Sequence, residues 1–270
     1  MRCRLCRRLL AALCFALALT PLARAEGLSI GGTGSAEPIV RLLFEEFRKQ
    51  SPEINLNLVS PPLGSGGGIA ALMAGRIDMA FISRSLKPQE QAALGAAVEI
   101  CKTPFVLASR GGQRRAGFTL DELASVYEAQ VPTWENGVPV RIVMRTTDDS
   151  DSKTLASMSP AVAEALKHAH QRAGMVLAMD DMETLDLLAR TPGSLGPTNL
   201  ALLRAAGSQL IVFPINGVTP SAATLRNGSY PWSKTLTMVA PARPSPGAEK
   251  FARFVQSSPA RSLLQRIECQ

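Results

Sequence analysis

Four times in this chain a short apolar run breaks into a turn of glycine and hydroxyl residues, and a helical pattern follows. The first passes from Leu28-Ser29-Ile30 into Gly31-Gly32-Thr33-Gly34-Ser35, with Pro38 where a first-turn proline is tolerated. The second passes from residues 54–59 into Gly64-Ser65-Gly66-Gly67-Gly68, and the third from residues 77–82 into Ser83-Arg84-Ser85. The fourth passes from residues 138–144 into Arg145 and then Asp148-Asp149-Ser150-Asp151-Ser152-Lys153. Strand, turn and helix in alternation constrain the chain to an α/β fold with largely parallel sheets. Ligands in such sheets lie beyond the carboxyl ends of strands, where these turns stand. A turn there presents backbone N–H groups at the positive end of a helix, which suits an anion. Each turn alone also reads as an ordinary capped turn. Their recurrence favours a shared site.

The first 25 residues have the pattern of a secretory leader. Arg2, Arg4, Arg7 and Arg8 precede an apolar run over residues 9–19, and Ala23-Arg24-Ala25 fits a small-x-small cleavage site. The expected mature chain starts at Glu26, is exported to an oxidising compartment, and is periplasmic. The whole chain carries 29 basic and 22 acidic residues, a net charge of +7. Five arginines and no acid lie in the leader, which leaves +2 on the mature chain. That balance gives nucleic-acid binding no support. Of five cysteines, Cys3, Cys6 and Cys14 go with the leader. Cys101 and Cys269 remain, and in such a compartment they either pair or stay as two thiols.

The chain length suits two lobes or one large domain. The expected division is lobe 1 over residues 26–108 and 209–270, and lobe 2 over residues 109–208. The pattern predicts a strand at residues 103–109, after which the lobe changes. It predicts a tight turn at Pro192-Gly193-Ser194-Leu195-Gly196, and a strand at residues 210–215 that returns the chain to lobe 1. Thr119-x-x-Glu122 and Asp180-x-x-Glu183 read as helix caps. His168 and His170 share one helix but face different sides, so no metal site is expected there. Gly27-Leu28-Ser29-Ile30-Gly31 matches a hydrolase pattern, yet Ser29 falls within a strand rather than at a strand-to-helix elbow. A serine hydrolase or phosphatase is therefore not the expected reading, and no cofactor is implied.

Four segments carry a family resemblance. Gly32-Thr33-Gly34-Ser35, Gly64-Ser65-Gly66-Gly67-Gly68-Ile69 with Gly75-Arg76-Ile77-Asp78, Ser83-Arg84-Ser85-Leu86, and Tyr230-Pro231-Trp232-Ser233-Lys234 follow one another in a familiar order. In order and spacing the chain resembles the periplasmic substrate-binding proteins of phosphate import systems, within the type II periplasmic binding-protein superfamily. The resemblance implies two lobes of mixed, mostly parallel sheets flanked by helices, with a ligand cleft between them. It implies capture of phosphate, delivery to an inner-membrane ABC permease, no chemistry by the chain itself, and a monomer. The implied ligand set is Thr33, Gly34, Ser35, Ser65, Gly66, Gly67, Ser83 and Arg84 from one lobe, with Arg145, Asp149, Ser150, Asp151 and Ser152 from the other. Arginine suits a tetrahedral oxyanion by its two-pronged charged hydrogen bond. Asp149 or Asp151 would accept the proton of hydrogen phosphate.

Two departures stand out. The family's fourth turn is Arg, an acid, then Gly-Ser-Gly-Thr, whereas Asp149-Ser150-Asp151-Ser152 has neither glycine. One well-known variant has an acid where Arg84 stands. Another oxyanion (molybdate, tungstate or sulfate) and an anion-sensing signalling module are the alternative readings.

Overall fold

The computed structural model describes residues 26–95, 97–111 and 115–270. The leader and its expected cleavage point lie outside them. Among the described residues no helix is long and apolar enough to cross a membrane.

The chain opens with β1 (Glu26–Gly32), α1 (Glu37–Phe47), β2 (Ile54–Leu58), α2 (Gly64–Met73) and β3 (Met79–Ile82). β1 pairs in parallel with β2 on one side and β3 on the other. α1 is amphipathic because Ile39, Val40, Leu43, Phe44 and Phe47 recur on one side and are buried there. α3 (Pro88–Ala93) then leads to β4 (Ala97–Ser109), the longest strand. Next come α4 (Leu120–Tyr127), β5 (Arg141–Arg145), α5 (Ser150–Ala156), α6 (Pro160–Gln171), β6 (Val176–Ala178) and α7 (Asp181–Arg190). β7 (Ser194–Asn199), α8 (Leu200–Ala205), β8 (Ile211–Val212), α9 (Ala222–Arg226), β9 (Ser233–Val239), α10 (Pro246–Val255) and α11 (Ser258–Arg266) complete it.

The strands run in the order β2-β1-β3-β9-β4-β7-β5-β6, with β8 beside β4. Parallel pairs occupy both ends, β2-β1-β3 and β7-β5-β6, and antiparallel pairs join them through β9 and β4. β4 serves both halves. Ala97–Pro104 pairs with β9, and Phe105–Ala108 pairs with β7. The cores divide in the same way. Leu28, Ile30, Leu43, Phe44 and Phe47 pack with Phe251 and Phe254 in one. Phe105, Phe118, Tyr127, Trp134, Leu155 and Phe213 pack in the other.

Four expectations need correction. The change of lobe falls at Pro104/Phe105 rather than after residue 108, because Phe105 and Leu107 already belong to the second core. The return comes at Ser233, not at residue 209. Ile211–Val212 pairs with the far end of β4, and Phe213, Ile215 and Tyr230 pack in the second core. A short apolar run does not say which sheet it joins. Third, Ser194-Leu195-Gly196 is no turn but the start of the buried β7. Gly196 is there because a Cβ would come within 2.7 Å of the Val143 carbonyl oxygen, so close strand approach produced the glycine that read as a turn. Fourth, the glycine run at 64–68 is helical from Gly64, and a Cβ on Gly68 would stand 2.7 Å from the Gly32 Cα. Helix and first turn touch backbone to backbone. Cys101 and Cys269 form a disulfide, tying the chain after α11 to β4.

Candidate functional site

The first half contributes hydroxyls. β1 ends at Gly32, and Thr33 leads into a short 3-10 turn, Gly34–Ala36, before α1. The Gly68–Gly32 contact sets the start of α2 against this turn, which brings Ser65 close. β3 ends at Ile82 and delivers Ser83. The Ser83 amide donates to Ser65 Oγ at 3.0 Å, and Ser83 Oγ donates to Thr33 Oγ1 at 3.4 Å. Thr33 Oγ1 and Ser35 Oγ are 3.2 Å apart. Gly66 and Gly67 stand exposed in the first turn of α2, where backbone N–H groups lack helical partners. Gly34 leaves room for Asp181, since a Cβ there would lie 3.1 Å from the Asp181 nitrogen.

Arg84 does not join this group. Its two terminal nitrogens each lie 2.8 Å from a Glu90 carboxylate oxygen, and one also donates to the Ser85 carbonyl. Glu90 occupies the third position of α3 and bonds the Lys87 amide as well. A bidentate pair of this geometry commits the guanidinium.

The second half contributes charge. β5 delivers Arg145, whose side chain is only 4% exposed. Its Nη2 donates to Asp149 Oδ2 at 2.8 Å, and Nη1 donates to Thr184 Oγ1 at 3.3 Å. Its Nε is buried without a partner. Asp149 also caps α5, accepting from the Asp151 amide at 2.7 Å. Ser150 Oγ stands 3.4 Å from Ser83 Oγ, so the two halves meet hydroxyl to hydroxyl. Ser152 turns inward instead and donates to the Arg145 carbonyl at 3.2 Å. It holds the turn and does not face the other hydroxyls.

Two further residues complete the cluster. Lys234, the second residue of β9, donates to Ser150 Oγ at 2.6 Å and forms a buried ion pair with Asp151. Asp181, the first residue of α7, accepts from Thr33 Oγ1 at 3.3 Å and has its Oδ2 3.9 Å from Arg145 Nη2. Sequence reasoning missed both. Lys234 closes a segment that carried the family resemblance but was given no place in the ligand set. Asp181 stands beside Asp180, which is the cap that the pattern indicated. Asp149 and Asp151 were expected to meet the anion's proton, but each already has a cation in contact.

The carboxyl groups differ in electrostatic state. Burial raises Asp181 to about 6, Asp151 adds to the rise, and Arg145 and Lys234 oppose it. Burial also pushes Asp149 upward, but Arg145 outweighs it and holds Asp149 below the ordinary carboxylate range. Burial works against both cations. The carboxylates around them outweigh it, Asp181 foremost for Arg145 and Asp151 foremost for Lys234, and keep both charged.

Ser29 lies in mid-strand with its amide on Asp78 and its hydroxyl accepting from Asn57. His168 bonds Glu128 and Glu164 on α6, while the Nε2 of His170 is buried without a partner. Among the described residues no cluster of three or more His, Cys, Asp or Glu could hold a metal ion.

Two sheet halves linked by β4 and β9, with hydroxyls from one meeting charges from the other, define a two-lobed binding protein of the type II periplasmic architecture. The model for the PBP (periplasmic binding protein) superfamily domain matches residues 20–259, and the chain belongs to that family. The family is one of binding proteins rather than enzymes, with exported members. The chain is 27% identical over 108 residues to phosphate-binding protein PstS 2 of Streptococcus pneumoniae, covering 40% of this chain and 36% of that protein. It is 24% identical over 209 residues to phosphate-binding protein PstS of Bacillus subtilis, covering 76% of this chain and 66% of that one. These matches thus span about a third and just under two thirds of the relatives' lengths. A phosphate-bound substrate-binding protein of a phosphate ABC transporter from Clostridium perfringens shares the fold, with a TM-score of 0.74 and 19% identity over 90% of this chain and 98% of its own.

Proposed function

We propose that the protein captures inorganic phosphate between its two lobes and delivers it to an inner-membrane ABC permease. The observation that carries the reading is the meeting of Thr33, Ser65 and Ser83 with Ser150 and Lys234 at one part-buried point, with Arg145 joined to Thr33 through Asp181. Hydrogen bonds to an ionised group are each worth about 1.5–3 kcal/mol, so a handful offsets the dehydration of a small dianion. The unpartnered Nε of Arg145 supports this, as does the first turn of α2 beside Ser65. The relatives' own ligand supports phosphate as the first candidate.

On this reading the chain acts as an exported monomer, with its leader cleaved after Ala25, and performs no chemistry. It needs no metal or cofactor and binds no nucleic acid. The ligand contacts are Thr33, Gly34, Ser35, Ser65, Gly66, Gly67, Ser83, Arg145 and Ser150, with Lys234 and Asp181 added. Calorimetric titration of the purified protein with phosphate tests it. Binding that Arg145→Ala weakens at least about tenfold is expected. A protein that binds no tetrahedral oxyanion overturns the reading. One that binds sulfate, molybdate or tungstate but not phosphate transfers it to that ion. This second reading draws on Asp149 and Asp151 both being paired with cations, which makes either a weaker acceptor for the ligand's proton.

A further inference from the structure

The site holds two cations and three carboxylates. The charged groups facing Asp181 are Arg145 from β5, Asp149 from the turn after it, Asp151 from α5 and Lys234 from β9. Thr33 faces it as a neutral hydroxyl from the turn before α1, with the Ser35 hydroxyl bonded to Thr33. Asp149 has Arg145 in contact at 2.8 Å, and Asp151 has Lys234. Asp181 has no such partner. Its Oδ2 lies 3.9 Å from Arg145 and 3.3 Å from the Thr33 hydroxyl, between two of the groups assigned to the anion. Its side chain is 7% exposed, so water does little to offset its charge. A dianion entering here would face three carboxylates against two cations. The carboxylate whose nearest cation is farthest away is the one to take up a proton, and a protonated carboxyl becomes a hydrogen-bond donor.

Resting on the oxyanion reading, we propose that Asp181 sets the specificity of the site. It binds the ligand as a carboxylic acid, donating its own proton in the hydrogen bond, so each anion is taken up together with one proton from solvent. A carboxylate that accepts the ligand's proton rejects an anion that has none. A carboxylic acid that donates makes no such demand. The site therefore takes fully ionised tetrahedral dianions, sulfate among them, as well as hydrogen phosphate. The upward shift of the free carboxyl to about 6 has the direction this requires.

Sulfate is the informative probe, because it does not titrate near neutrality. Calorimetric titration of the wild-type protein with sulfate should show affinity rising about tenfold per pH unit as pH falls from 8 towards 6.5, then levelling near 6. Repeating it in two buffers of different ionisation enthalpy should give one proton taken up per sulfate. Asp181→Asn, whose amide donates without titrating, should flatten the profile. The buffer comparison uses only the wild-type protein, so it stands even if that variant fails to fold. Phosphate binding with sulfate refused at every pH overturns the inference. A flat wild-type sulfate profile, or proton release, does the same. If neither these ions nor molybdate or tungstate binds at any pH, the oxyanion reading itself falls.

Discussion

The two halves of the site are built on different principles. The hydroxyl half, Thr33, Ser35, Ser65 and Ser83, is uncharged, and its hydroxyls hydrogen-bond one another. The charged half is a set of buried ions, Arg145 with Asp149 and Asp181 from the second lobe, and Lys234, which β9 brings from the first, with Asp151. Hydroxyls can turn to donate or accept, so the neutral half adapts to whatever anion it meets. Buried ions cannot adapt in that way. Each depends on its partner, and removing one strands the other at a cost above that of the bond. On the proposed reading the neutral half supplies capacity and the charged half supplies selection.

Four substitutions separate these roles, from the largest effect to the smallest. Lys234→Met leaves Asp151 buried at 1% exposure without a cation. Chemical denaturation should show a loss of about 3 kcal/mol or more, most of it restored when Asp151→Asn is added. A single variant as stable as wild type would remove the ion pair from the closed geometry. Arg145→Ala should weaken phosphate binding at least about tenfold by calorimetry. Ser83→Ala, in the adaptable half, should cost about threefold to tenfold in the same assay, because neighbouring hydroxyls remain. If it costs as much as Arg145→Ala, the contrast between the halves fails.

Arg84→Ala should change phosphate affinity by less than about twofold, since its guanidinium is committed to Glu90. Its effect lies in acid stability instead. Arg84 holds the Glu90 carboxyl down at about 2, against an ordinary 4.5. The pair's contribution is therefore complete above pH 4.5 and is lost as pH falls towards 2. Acid titration followed by circular dichroism should show the variant unfolding at higher pH than wild type.

The neutral half was legible because its signals are local. Glycine and a hydroxyl at the end of an apolar run are read within one turn, and Thr33, Ser65 and Ser83 converge as expected. The charged half was legible only in part. Arg145, Asp149 and Ser150 share one turn, but Lys234 pairs with a residue 83 positions away and Asp181 meets Thr33 across 148. No periodicity encodes such distances. Arg84 misled in a different way, because a cation in an anion turn looked like a ligand. Its partner was within reach, since Pro88 opens α3 and Glu90 stands at its third position, a cap signature that also places a carboxylate six residues from Arg84. At the level of the fold, the alternation of strands and helices was clear. The point where the chain rejoins the first lobe was not, because only tertiary packing distinguishes Phe213 in one core from Phe213 in the other.

The disulfide gives the molecule an unusual connectivity. In polymer terms the chain is a ring with a tail. Residues 101–269 form the ring, which contains the whole second core, and residues 26–100 form the tail. Closing a ring of that circumference removes about 5 kcal/mol of disorder from the unfolded chain on the chain-entropy argument. The first core is the seam between the parts, with Phe44 and Phe47 of the tail packed against Phe251 of the ring. Thr33, Ser65 and Ser83 are carried on the tail, and every charged group of the site is carried on the ring. The tail's hydroxyls and the ring's charges are therefore brought together by a docking of open chain onto closed loop.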